Sequence, residues 1–506
     1  MPPPISAIDG LIQRIVPDHT DRFRYQIIPN DGPGDCFRVT TTHDLVTLQG
    51  SSIRALSAAL GRYLRDVEHR DLSWDRGPAR LSNAPPAHAP IEAATPYPWR
   101  YYLNYVTFAY STAFWDWERW EREIDWMALH GISMPLAITG QEAVWHAVLT
   151  RLGLSAGEID EFITGPAYLP FGWMGCMDGW AGPLPAGWVD DHADLQRRIL
   201  ERERSLGMTP VLQGFAGHVP RSLARLYPAS TFHELTWTGF TDTILLDPQD
   251  PLFPEIGTLF IEEQTRLFGT NHLYAADPFI EMVPQEGSPV FLSALARAML
   301  GAMTSADADA RWIFQAWPFY FHAAFWTADR IEAFLSAIPD DRMIVLDLWA
   351  EHLPLWKQTQ AFHGKPWLWC MVHNFGGRQG MQGDMTTIAS GPATANAHSR
   401  SGRMEGVGIT SETIENNPFI YDLLTDTAWS SDPIDLDTWL PANVRQRYGT
   451  DDPHAMQAWQ RLRESVYSRE DPSVSLRHKV VCKRPHRDRM LATDIDRATL
   501  ATELDA

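Results

Sequence analysis

Glu281 sits in the segment 274–284, YAADPFIEMVP, with Phe279, Met282 and Val283 as neighbours. A carboxyl group in apolar company is costly to ionise, so these flanks predict a raised pKa and a general acid. An acid alone makes no enzyme, and a second carboxylate is needed. Asp277, Asp347, Glu351 and Glu412 all lie near the ends of predicted strands, together with Asn104, Tyr110, His218, Trp317, His373 and Asn374. No histidine pair has metal-binding spacing: HExxH and HxxxH are absent, and His218, His322 and His373 stand alone. A GxSxG nucleophile motif is also absent. The 21 tryptophans, many of them in WDWERW, GWMGCMDGW, AWPFY and WLWCM, offer π faces that stack on the C–H faces of sugars. Two carboxylates with aromatic platforms fit hydrolysis of a glycosidic bond. That reaction needs a proton donor to the leaving oxygen and a second carboxylate, which attacks the anomeric carbon or activates water. Spacing does not choose among the four candidates for the second role.

The elements that must hold these residues repeat as strand, loop and helix for over 300 residues. Strands are predicted at 101–106, 132–138, 209–215, 272–278, 312–317, 343–348, 367–373 and 406–409. Between them, Trp117, Trp120, Ile124 and Met127 share a helical face closed by Gly131. Helices at 195–206 and 259–268 end before Gly207 and Gly269. Eight such units predict an α/β fold, a (β/α)₈ TIM-like barrel, whose chemistry lies at the C-terminal ends of the strands. A doubly wound sheet is disfavoured because no GxGxxG follows an early strand.

Before the barrel, strands at 22–28, 36–41 and 45–48 precede a helix capped by Ser51 or Ser52. Its apolar face carries Ile53, Leu56, Leu60, Tyr63, Leu64 and Val67. The proline-rich stretch 81–98 sustains neither a helix nor a central strand and marks a boundary. Three domains are expected: 1–97, a small α/β unit and linker; 98–434, the barrel; and 435–506, a partial helical region. The last has helices around Val444 and at 456–466, then a basic run at 478–489. The net charge of −21 argues against nucleic acid and anionic membranes as partners. No uninterrupted apolar run has membrane-spanning length, and the first residues lack a basic leader, so a cytoplasmic location is expected. Cys36, Cys176, Cys370 and Cys482 are far apart without a CxxC pair, which predicts thiols and neither disulfides nor a zinc site.

Longer motifs carry a resemblance. The run WRYYLNYVTFAYSTAFWDWERWEREIDWMALHGISMPLAITGQEAVW, then EFITGPAYLPFGWMG, GPLPAGW, GMTPVLQGFAGHVP, DPFIEM, WLWCMVHNFGG and GVGITSETIENNPFIY are similar to the α-N-acetylglucosaminidases, glycoside hydrolase family 89. The resemblance covers roughly residues 50 to 470. It implies a small N-terminal α/β domain, a (β/α)₈ catalytic barrel and an all-helical C-terminal domain. It also implies a retaining exo-hydrolase of terminal α-linked N-acetylglucosamine, acting on glycans or oligosaccharides without cofactor or metal. On it, Glu281 falls on the acid/base and Glu412 on the nucleophile. Asn104, Tyr110, Met174, Trp237, Trp317 and Trp369 fall on positions lining the terminal-sugar pocket, and His373 and Asn374, on an HNFGG motif, are expected to bind substrate as well. Three departures stand out. Ile280 replaces a residue that is often polar in relatives, Phe171 replaces an indole, and the C-terminal helical region is short, which predicts a truncated chain. Truncation supports an alternative reading, a poorly active N-acetylglucosamine-binding fragment with the apolar faces of Trp459, Leu462 and Val466 exposed. Between sulfated and mucin-type glycans, the acidic net charge tilts against a highly sulfated polymer.

Overall fold

The computed structural model describes residues 6–73, 76–284, 286–376 and 380–468. Four strands open the chain: β1 (Phe23–Ile27), β2 (Cys36–Thr42), β3 (Leu45–Gly50) and β4 (Ile91–Ala94). Their order is β1-β3-β2-β4, with β1 and β3 parallel and the other pairs antiparallel. The helix Ile53–Asp66 packs on this sheet. Its N-cap is Ser52, whose hydroxyl accepts the Ala55 N–H at 3.1 Å. β4 lies inside the proline-rich stretch that was expected to hold no central strand. It is an edge strand paired only with β2, the one sheet position where flanking prolines lose no ladder hydrogen bond. A first helix, Ser6–Ile15, buries Ile8, Leu11 and Ile12 and was not anticipated.

The barrel strands are β5 (Trp99–Tyr102), β6 (Met134–Pro135) and β7 (Leu212–Gln213), then five more after an insertion. The insertion is a small antiparallel sheet of β8 (His218–Val219), β9 (Phe232–Leu235) and β10 (Thr243–Leu246), ordered β8-β10-β9. The barrel resumes with β11 (Leu273–Ala275), β12 (Arg311–Gln315), β13 (Met343–Asp347), β14 (Pro366–Met371) and β15 (Arg403–Ile409). All eight run parallel in the order β6-β5-β15-β14-β13-β12-β11-β7. A bridge between Leu136 and Val211 joins the two ends, with the Ala137 N–H on the Val211 carbonyl at 2.9 Å. Each predicted barrel strand is present, and the fold is the expected (β/α)₈ barrel with an N-terminal sheet and C-terminal helices.

Buried ion pairs tie the first unit to the barrel. Asp35 accepts from Arg100 at the start of β5 at 2.6 Å and from Arg54 at 3.1 Å. Asp426, in the helix Pro418–Thr427, accepts from Arg65 at 2.6 Å and Arg62 at 2.8 Å. Such pairs are costly to break because a lone buried charge remains. The helix Pro289–Ala306 is long and apolar enough, by length and composition, to cross a membrane. In this fold Phe291, Leu292, Leu295, Met299 and Met303 are buried, and the helix packs beside Leu252–Phe268 and Ala328–Leu335.

The final helices, Leu436–Tyr448 and Pro453–Glu464, correct one expectation. Trp459, Leu462 and Val466 are buried rather than exposed, and the Trp459 ring stacks on Phe419 at 4.1 Å. Phe419 of the helix Pro418–Thr427 thus covers Trp459. Cys36, Cys176 and Cys370 are free thiols, whereas Cys482 and the basic run 478–489 lie outside the described residues.

Candidate active site

Beyond β11 the chain leaves the ladder and buries Phe279, Ile280 and Met282, while Val283 faces solvent. The frame around Glu281 is therefore only partly apolar. Its two oxygens each accept an indole N–H, Oε2 from Trp237 at 2.9 Å and Oε1 from Trp317 at 3.0 Å. Trp317 opens the short helix Trp317–Phe321 directly after β12. Trp237 comes from the connection between β9 and β10, where the Phe240 N–H closes a turn on the Trp237 carbonyl at 2.9 Å. Hydrogen bonds to a carboxylate from two sides fix its plane as well as its position.

Glu412 follows β15. Its Oε2 accepts the backbone N–H of Gly376, which lies beyond β14. Gly376 has no room for a side chain, since a Cβ there would lie 1.9 Å from Cε2 of Tyr110. Tyr110 thus packs against the residue that holds Glu412.

A cavity of about 490 Å³ at this end of the barrel contains both carboxylates. That volume suits a small ligand. Tyr110, Phe171, Met174 and Trp237 line one side, with the Tyr110–Phe171 and Phe171–Trp237 ring centroids 6.3 and 5.6 Å apart. Trp317, Tyr320, Trp349 and Phe375 line the other, where Trp349 and Phe375 meet edge to face at 5.2 Å. Asn104 reaches the cavity too, although its amide donates to the Thr410 carbonyl at 3.0 Å and accepts the Val106 N–H at 3.2 Å. Of the predicted contacts, Asn104, Tyr110, Met174, Trp237 and Trp317 come together here with Glu281 and Glu412. Ile280 and Phe171, the two departures, also line the cavity.

Three predicted contacts do not reach it. Trp369 points out of the barrel, and a Cβ on Gly391 of the helix Met385–Ala397 would lie 2.8 Å from its ring. It is a core residue between strand and helix. Asn374 binds the backbone of Thr413 twice, its Nδ2 donating to the carbonyl at 2.8 Å and its Oδ1 accepting the N–H at 2.9 Å. His373 is buried, its Nε2 lies 3.0 Å from Asn417 Nδ2, and burial pushes its pKa down to about 3. Both residues hold the Glu412 loop and have no place on the cavity wall.

The competing carboxylates are also removed from the cavity. Asp277 accepts the Gln315 N–H at 2.9 Å and its side-chain Nε2 at 3.2 Å. Asp347 accepts the N–H groups of Leu355 and Trp356 at 3.2 and 3.0 Å. Glu351 accepts that of His373 at 2.8 Å. Burial raises all three pKa values, to about 7 for the aspartates and about 8 for Glu351. His218 is buried behind Gly175, and burial lowers its pKa to about 4. Among the described residues Glu281 and Glu412 are the only carboxylates on the cavity wall, and no group of three or more His, Cys, Asp or Glu could hold a metal ion.

Sequence reasoning missed Gln315, Tyr320, Trp349 and Phe375 on the wall. Phe375 stands inside the HNFGG motif, and Gln315 is the last residue of a barrel strand, so position was a usable signal for both.

Known proteins resemble the chain in sequence and in fold. The model of the α-N-acetylglucosaminidase (NAGLU) TIM-barrel domain matches residues 100–431, that of the N-terminal domain 6–87 and that of the C-terminal domain 439–503. The chain is 44% identical over 430 residues to the alpha-N-acetylglucosaminidase of Homo sapiens, covering 84% of this chain and 58% of the relative. A family 89 glycoside hydrolase from Clostridium perfringens, in complex with 2-acetamido-1,2-dideoxynojirmycin, superimposes with a TM-score of 0.85 at 30% identity, covering 92% of this chain and 52% of that one. A second structure from Clostridium perfringens, with two glutamates replaced by glutamine and its substrate GlcNAc-α-1,4-galactose bound, gives 0.86 at 30% identity, over 92% and 53%. The chain spans little more than half the length of these relatives. A family 20 β-N-acetylhexosaminidase from Streptomyces coelicolor, at a TM-score of 0.56, 11% identity and 87% of each chain, shares the fold alone. The barrel model alone takes in well over half of the sequence, and the chain belongs to the α-N-acetylglucosaminidase family.

Proposed function

We propose that the chain is a retaining exo-glycosidase that releases terminal α-linked N-acetylglucosamine by double displacement. The observation that carries this reading is the pairing of Glu281 and Glu412 in one aromatic-walled cavity. Glu281 protonates the glycosidic oxygen while Glu412 attacks the anomeric carbon, so the bond to the aglycone breaks as the bond to Glu412 forms. Each Glu281 oxygen has a second lone pair besides the one facing an indole, which leaves room for the proton. In the covalent intermediate Glu412 no longer bears a negative charge; the Glu281 carboxylate then takes a proton from water as that water attacks the anomeric carbon, and the bond from that carbon to Glu412 breaks to return Glu412 as a carboxylate. The two inversions restore the α configuration. Trp237 and Trp317 keep Glu281 in one plane through both steps, and the Gly376 N–H orients Glu412. The ligands bound in the two Clostridium perfringens structures, 2-acetamido-1,2-dideoxynojirmycin and GlcNAc-α-1,4-galactose, support the sugar and the α linkage.

Steady-state hydrolysis of an aryl α-N-acetylglucosaminide tests the assignment. Glu412→Ala is expected to abolish turnover, and Glu281→Gln to lower kcat by about 10²–10⁴-fold. Both variants should still bind N-acetylglucosamine by calorimetry. Unchanged turnover in either variant counts against the pair, and folded wild-type protein that binds the sugar without hydrolysing the aryl glycoside is a lectin-like fragment instead.

A further inference from the structure

Glu351 is an acidic residue beside the Glu412 loop that takes no part in the two displacements. It follows β13 in the loop 348–354, and neither of its oxygens reaches the cavity. Oε1 accepts the His373 N–H at 2.8 Å, and the Val372 amide also faces the carboxyl group. Oε2 is buried with no hydrogen-bond partner among the described residues.

His373 is where the chain leaves β14 for the cavity. Its φ is +60°, in the left-handed region, and the Asn374 N–H donates to the Val372 carbonyl at 2.6 Å. A three-residue turn centred on a side chain with positive φ is strained and persists only when its surroundings over-determine it. Three contacts do so here. Glu351 takes the His373 N–H, Gln382 donates to the His373 carbonyl at 2.7 Å, and Asn417 meets the imidazole at 3.0 Å. Beyond the turn, Phe375 enters the cavity and the Gly376 N–H reaches Glu412 Oε2. The Glu412 N–H in turn contacts the Asn374 carbonyl at 3.4 Å.

We propose that Glu351 is a positioning residue for the nucleophile: by accepting the His373 N–H it holds the strained turn from which the Gly376 N–H is delivered to Glu412. This rests on the reading of Glu412 as the attacking group. Of the three contacts, the one from Glu351 alone grips the main-chain N–H at the centre of the turn. Burial, with Asp347 nearby, raises the Glu351 pKa to about 8. The group that accepts the bond near neutrality is therefore an uncharged acid, whose carbonyl oxygen a glutamine amide reproduces.

The test uses the full chain and two variants, Glu351→Ala and Glu351→Gln, with two readouts. Amide hydrogen exchange by mass spectrometry follows residues 373–376, and steady-state kinetics follow an aryl α-N-acetylglucosaminide. Glu351→Ala is expected to speed exchange at 373–376 and to lower kcat by about 10- to 100-fold, with KM within about twofold. Glu351→Gln should restore wild-type protection and bring kcat back to within about threefold. The proposal is overturned if the alanine variant keeps full protection at 373–376, if its kcat is unchanged, or if the glutamine variant is as impaired as the alanine one. Should Glu351→Ala not fold, Glu351→Leu fills the space without an acceptor and carries the same expectations. A wild-type chain that shows no hydrolysis counts against the function proposed above and leaves the exchange readout to decide this inference alone.

Discussion

Trp237 and Trp317 commit their only polar side-chain atoms to Glu281, at 2.9 and 3.0 Å, while their rings line the cavity. A single ring therefore serves both to wall the cavity and to orient Glu281. Trp317→Phe retains the platform and deletes the donor. A hydrogen bond to a charged group is worth roughly 1.5–3 kcal/mol, so kcat/KM is expected to fall about 10- to 100-fold, mostly in kcat. Equal kcat for Trp317→Phe and wild type would show that the indole N–H is dispensable. The position of Glu281 beyond a barrel strand was legible from its segment, but these donors were not, because both lie far away in sequence. Trp369 shows the converse. Its type suggested a sugar platform, yet side chains alternate along β14, and Trp367, two residues earlier, also points outward and donates to the Ser401 carbonyl at 2.7 Å. His373 and Asn374 sit in a motif that matters for a different reason, holding a loop rather than a ligand.

Among the elements, the barrel strands were legible because each is an apolar run bounded by turn residues and separated by helical periodicity. Their ends were overshot where the chain departs for the cavity: the fourth strand was expected over 272–278 and its ladder is Leu273–Ala275. The sheet β8–β10 escaped notice, since strands of two to four residues carry too little pattern. Yet this insertion supplies Trp237. Its turn contains Thr238 at φ +38° and Gly239 at φ +85°, with open space beside Gly239. Gly239→Ala meets no clash, only the left-handed penalty of roughly 1–2 kcal/mol. We expect lower kcat/KM with little change in the thermal midpoint of the barrel, as measured by calorimetry. Full activity would show that the position of Trp237 does not depend on this turn.

Across the whole molecule, buried acids set the response to pH. Asp277, Asp347 and Glu142 have pKa values raised to about 7 and Glu351 to about 8, all chiefly by burial. In the unfolded chain such groups ionise near pH 4. The folded state binds more protons between these limits, so their contribution to stability falls as pH rises from about 4 and is fully lost only above about 8. His218 and His373, held neutral by burial, act oppositely, but only below their unfolded value near 6.5. Asp35 and Asp426, held low by arginine partners despite burial, lose their contribution only as pH falls below about 4. The thermal midpoint should therefore be lower at pH 8.5 than at pH 6.5, and a higher midpoint at 8.5 would contradict these assignments. The same scale explains why exposed apolar faces were expected in the C-terminal helices and are not found. Amphipathicity identified the faces of Trp459 and Leu462, but it did not reveal that Phe419 of the last barrel helix covers Trp459 and that Leu462 is buried with it.

We propose a double displacement by Glu281 and Glu412. Proton NMR of the first-formed sugar, recorded before mutarotation during hydrolysis of an aryl α-N-acetylglucosaminide, tests it most directly. Two inversions at the anomeric carbon predict α-N-acetylglucosamine as the initial product. Initial release of the β anomer would mean a single displacement by water, and Glu412 would then not be the nucleophile.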